Sequence, residues 1–105
     1  MTYELDEAYF LDLLGDACNV LGRYDKAVDA LSKAVAVFKE HGAQCAYAVG
    51  LFKLAQSHLA LDDRHRAVGC LEECLPIFDA LQLPASAERA RTALDACLLT
   101  ALGSR

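Results

Sequence analysis

Tryptophan is absent from the 105 residues, methionine occurs once and proline twice. So little proline, with only six glycines, argues against a turn-rich β sandwich or barrel. No G-x-G-x-x-G, phosphate loop or G-x-S-x-G occurs, so the common nucleotide and hydrolase motifs are missing and no enzyme is expected. No apolar run approaches the ~20 residues of a membrane-spanning helix. The longest weakly polar stretch, 96–102, is far shorter, and residues 1–7 are acidic where a secretory leader is basic. Basic residues are also short. Ten Lys and Arg face fifteen Asp and Glu, for a net charge of -5, which removes the electrostatic footprint of nucleic-acid binding. The cysteines (Cys18, Cys45, Cys70, Cys74 and Cys97) are odd in number and form no C-x-x-C pair. They imply no disulfide framework, and the expected compartment is the reducing cytoplasm.

What is present is alanine and leucine at helical spacing. Hydrophobic residues make up 55% and charged residues 24%, enough for one folded domain. Shifting the chain by 40 residues superimposes Leu11 on Leu51, Leu14 on Leu54, Gly15 on Ala55, Leu21 on Leu61, Ala27 on Ala67, Val28 on Val68, Leu31 on Leu71 and Phe38 on Phe78. A partial third copy sets Leu54 on Leu94. Repeating apolar positions imply that one packing arrangement is used again.

Each unit reads as two helices. Leu11, Leu14, Cys18 and Leu21 follow the three-and-four spacing of one helical face, to be buried. Gly22 breaks that run, and a second helix spans Tyr24 through Glu40, with Gly42 in a left-handed cap. The second unit repeats the pattern with Tyr47, Leu51, Leu54, Ala55, His58 and Leu61 on one face. Asp62 and Asp63 are expected to cap the next helix with their carboxylates. Leu83-Pro84 is expected to end that helix. A last helix follows over 85–102. Gly15, mid-helix where glycine costs ~1 kcal/mol against alanine, predicts close helix–helix approach, with Ala27 and Ala67 facing the first helix of each unit. Pro76, deep in the fourth helix, predicts a kink.

The run Leu11-x-x-Leu14-Gly15-x-x-Cys18-x-x-Leu21-Gly22-x-Tyr24-x-x-Ala27-x-x-x-Leu31-x-x-Ala34 resembles a tetratricopeptide repeat at nearly every signature position. Cys18 and Leu31 stand where the family has aromatics. The second unit is weaker, with Ala55 for the glycine, His58 for the aromatic, Asp62 for the turn glycine, Arg64 for the tyrosine and Cys74 for the last alanine. Its 40-residue spacing exceeds the usual period of about 34 and is similar to a long-helix variant of the family. The resemblance implies an all-α, tetratricopeptide-like α-solenoid: five antiparallel helices in a right-handed stack, forming a single domain (repeat 8–42, repeat 47–83, C-terminal helix 85–102).

The resemblance also implies a concave groove lined by the first helix of each unit. By register, the partner-binding candidates are Tyr9, Asp12, Asp16, Asn19, Phe52, Lys53, Gln56 and Arg89. An acidic first wall, an aromatic and amide middle and a distal cation suit a peptide with a basic end and an apolar anchor. Asp12 and Asp16 stand where chaperone-binding members carry a carboxylate clamp, and would repel a C-terminal carboxylate. The expected function is a protein-interaction module that binds a peptide or partner helix. The alternative is an oligomerisation or sensory segment of a larger signalling or transcription-regulatory protein. Leu98, Leu99 and Leu102 are the candidates for self-association, as a homodimer through the C-terminal helix.

No cofactor is expected. Cys70 and Cys74 share a helical face near His58 and His65, but without a second ligand pair they read as small core residues, so no metal site is assigned. Cys18 and Cys45 are expected near buried faces and inert.

Overall fold

The computed structural model describes residues 4–103, with side chains over 4–100. The described residues form five α-helices: α1 (Glu4–Val20), α2 (Tyr24–Glu40), α3 (Gln44–Ala60), α4 (Arg64–Ala80) and α5 (Pro84–Gly103). Each packs chiefly on the next, and α1 also touches α3. The stack measures 52 × 32 × 19 Å.

The last four helices begin at residues 24, 44, 64 and 84, because one turn geometry recurs four times. In each turn the residue two past the helix donates its N–H to a carbonyl three back, and the next residue donates to a carbonyl five back. Examples are Gly22 to Asn19 (3.2 Å) with Arg23 to Cys18 (2.8 Å), and Gln82 to Asp79 (3.1 Å) with Leu83 to Phe78 (2.9 Å). This is the Schellman closure, and it needs a left-handed residue. Gly22 (φ 77°) and Gly42 (φ 70°) supply it in the first two turns, Asp62 (φ 61°) and Gln82 (φ 57°) in the last two. The expectation for Asp62 is therefore half corrected. Asp63 alone is the cap, accepting from the Arg66 N–H at 3.1 Å, while Asp62 occupies the glycine's place. Pro84 is also reassigned. α4 has already ended at Ala80, and Pro84 opens α5, where its missing N–H costs nothing. α4 runs continuously through Pro76, which lies exposed on the outside.

The core is a chain of clusters between helix layers. Ala8, Ala34 and Phe38 hold the first helices at one end. Cys18, Ala27, Leu31 and Val35 join Leu54 of α3. Leu51, Ala55, Ala67, Leu71, Cys74 and Phe78 pack with Ala87, Ala90 and Cys97 of α5. Two glycines set the spacing. A Cβ on Gly15 would lie 2.4 Å from Leu31 Cγ, and one on Gly50 would lie 2.6 Å from Val35 Cγ1. Close approach at Gly15 is thus met, but by Leu31 rather than Ala27. Tyr47, between clusters, donates its hydroxyl to the Glu73 carboxylate and ties α3 to α4.

The buried face of α1 needs correction. Its buried residues are Ala8, Gly15 and Cys18, while Leu14 and Leu21 are 43% and 70% exposed. In the second unit Leu54 is covered by Leu31 and Val35 of the preceding pair. Nothing among the described residues plays that part for Leu14. Cys45 is likewise exposed, not near a buried face.

Candidate partner-binding face

The groove candidates come from α1, α3 and α5, which are three different stretches of chain. The structure brings most of them into contact. Lys53 on α3 lies 2.7 Å from Asp12 and 2.9 Å from Asp16 on α1. Asp12 and Lys53 are mostly buried, whereas Asp16 is half exposed. Burial alone would lower the Lys53 pKa, but hydrogen bonds to Asp12 and Asp16 and their charges outweigh it and hold the ammonium above its usual value. The expected acidic wall is therefore corrected. It is an ion triad with one cation between two carboxylates, and its solvent-facing charge belongs to Asp16. The other oxygen of Asp12, Oδ1, is buried without a hydrogen-bond partner.

One turn further along, the buried Ser57 hydroxyl donates to Asn19 Oδ1 at 2.7 Å. Its oxygen also lies 3.2 Å from the Lys53 carbonyl. Sequence reasoning does not single out Ser57, a serine that belongs to no motif. The 40-residue register only aligns it with Ala17, a small residue. Tyr9 packs its ring 4.9 Å from that of Phe38 and leaves half its surface in solvent. Gln56 is exposed.

Toward α5 the face becomes apolar. Phe52 and Arg89 meet with the guanidinium carbon 5.4 Å from the ring centroid, a cation–π geometry. Val49, Phe52, Phe78, Ser86 and Arg89 line a pocket of about 70 Å³, room for one aliphatic side chain. Phe78 and Ser86, from α4 and the start of α5, were not foreseen, since no single-helix pattern shows that two helices converge there. A wider cleft of about 280 Å³ continues along α5, lined by Leu59, Asp62, Arg64, Ala93, Ala96, Cys97 and Thr100.

The self-association candidates Leu98 and Leu99 are exposed on α5. Leu102 lies outside the described side chains. Burial, with the neighbouring Cys70 next in weight, pushes the Cys74 thiol up to about 11. Burial also raises Cys70. Both thiols are therefore protonated at neutral pH. His58 is inward and buried, while His65 is exposed. His41 pairs with Glu4 at 3.1 Å. With Glu40 these two form an exposed surface group whose ligand atoms lie within 4.8 Å of one another. No helix among the described residues is long and apolar enough to cross a membrane.

Comparison with known families matches the tetratricopeptide repeat over residues 6–80. A comparison with curated proteins finds no match.

Proposed function

The chain belongs to the tetratricopeptide repeat family, whose repeats generally mediate protein–protein interaction and are generally non-enzymatic, and from that premise we propose that its concave face binds a peptide or helix of a partner protein. The observation that carries this reading is the pocket between α3 and α5. It has an apolar floor (Val49, Phe52, Phe78) and a cationic lip (Arg89), on the same side of α3 as the Lys53 triad. An apolar side chain of the ligand enters the pocket. A basic residue of the ligand meets Asp16, the carboxylate of the triad that remains half exposed. Gln56 and Tyr9 supply polar and aromatic contacts between and beyond these points. Asp12, Lys53, Asn19 and Ser57 are already bonded to one another and hold the floor rigid.

The test is selection from a random peptide library. The enriched peptides are predicted to combine an apolar anchor with a Lys or Arg, and to bind Phe52→Ala more weakly by about 1–3 kcal/mol. Affinity unchanged by that substitution removes Phe52 from the site, and enrichment of acidic peptides contradicts the role given to Asp16.

A further inference from the structure

The part of α1 that α2 leaves uncovered carries a second apolar stripe. Phe10, Leu13, Leu14, Ala17, Val20 and Leu21 recur three and four apart and so share one side of the helix. Phe10 is 67% exposed, Leu13 65% and Val20 86%, and Ala17 is exposed as well. Asp12, Asp16 and Asn19, which meet α3, lie on another side. The stripe is therefore separate from the groove.

The internal repeat says what kind of object belongs on it. Forty residues on, Leu14 becomes Leu54, which packs against Leu31 and Val35, and Phe10 becomes Gly50, which abuts Val35. In the second unit Gly50, Leu54 and Ser57 on this side are buried, while Ala60 and Leu61 at its end stay exposed. Among the described residues, six of the ten large exposed hydrophobics fall between residues 9 and 21, against two on α5. The apolar surface is thus concentrated on α1, not on the C-terminal helix.

Charge identifies the occupant. The first turn of α1 carries Glu4, Asp6 and Glu7, and its last turn has no basic residue. Arg23, in the turn just past the C-terminal end, is exposed and makes no ion pair among the described residues. Two α1 helices laid parallel would set acids beside acids. Laid antiparallel, they bring Arg23 of each protomer to Asp6 and Glu7 of the other, with Leu14 nearest the two-fold axis and small Ala17 within a turn of it. We propose that the chain forms a two-fold symmetric dimer through antiparallel packing of α1 on α1, leaving both concave faces open.

Light scattering over a concentration series tests this directly. The chain is expected to shift from monomer to twice the monomer mass as concentration rises. Phe10→Glu and Leu13→Glu, at exposed sites and with helical spectra unchanged, are expected to weaken the dimer by roughly tenfold or more, and Leu99→Glu to leave it intact. Arg23→Glu should weaken it and Glu7→Arg in the same chain restore it. If a variant loses helicity, an Ala17→Cys chain in a Cys45→Ser background serves instead, and a short bismaleimide should cross-link it into dimers. A monomer at every concentration overturns the proposal. So does an association that Leu99→Glu abolishes and Phe10→Glu spares. Insensitivity to charge reversal at Arg23 overturns the antiparallel arrangement.

Discussion

At Gly15 the helix gives up about 1 kcal/mol of propensity so that α1 can lie against Leu31. An added methyl would sit 2.4 Å from Leu31 Cγ, so Gly15→Ala is predicted to destabilise by about 1–3 kcal/mol. In a Leu31→Ala background the obstacle is gone, and the same substitution should become stabilising. Urea denaturation of the two pairs reads the sign change, and a loss in both backgrounds would mean that Leu31 is not the obstacle. The left-handed turn positions give the opposite case. Gln82 holds φ 57° with a side chain that disfavours it, so Gln82→Gly should stabilise by about 0.5–1 kcal/mol. That raises the melting temperature by a few degrees in a chain of this size, and an unchanged or lower value refutes it. His58 titrates against the fold. Burial holds its imidazole below the ordinary 6.5, with Asp63 raising it and Arg66 lowering it less. As pH falls below 6.5 the unfolded chain binds a proton that the folded chain refuses, so stability falls until the lower folded value is passed. Denaturation midpoints at about pH 7 and about pH 5 should differ less in His58→Gln than in the natural chain. Equal drops in both would assign the loss to the carboxylates.

At the scale of the helices, α1 is held to α3 by polar groups and to α2 by apolar ones. Lys53 of α3 neutralises two carboxylates that stand four residues apart on α1 at that joint. Lys53→Ala leaves the mostly buried Asp12 without its cation, and is predicted to cost about 1–3 kcal/mol, between the values for exposed and buried pairs. A loss under about 0.5 kcal/mol, the scale of exposed pairs, would mean that solvent already satisfies the triad. The helices themselves were legible in the sequence. The 40-residue register, Gly22, Gly42 and the apolar spacing of Tyr24–Glu40 mark the elements, and Gly15 announced a close approach before its partner was known. What spacing could not decide is which of two apolar stripes on α1 is covered. Leu14 and Leu21 continue the Leu11–Cys18 pattern as well as they continue Phe10–Leu13, and only the placement of α2 separates the two. Gln82 hid a Schellman turn because it is not glycine, and Asp62, aligned with the turn glycine, also read as a helix cap. Pro84 hid a third feature because a proline before a helix and a proline after one look alike in sequence.

Across the whole molecule, the candidate binding face is a product of stacking. Asp12, Lys53, Phe52 and Arg89 are distant in sequence and adjacent only because α1, α3 and α5 recur on one side. Register within the repeat was enough to nominate them. It was not enough to show that Lys53 would be taken by Asp12 and Asp16, nor that Phe78 and Ser86 would complete the pocket, since pairing across repeats depends on the twist between them. The central claim is that this face, and in particular the Phe52–Arg89 pocket, receives the partner. Amide chemical-shift mapping of the isotope-labelled chain, titrated with a library-selected peptide, tests it most directly. The account predicts saturable shifts along α3 and the start of α5, strongest near Val49, Phe52, Gln56 and Arg89. Shifts confined to the outer faces of α2 and α4, with those residues still, would contradict it.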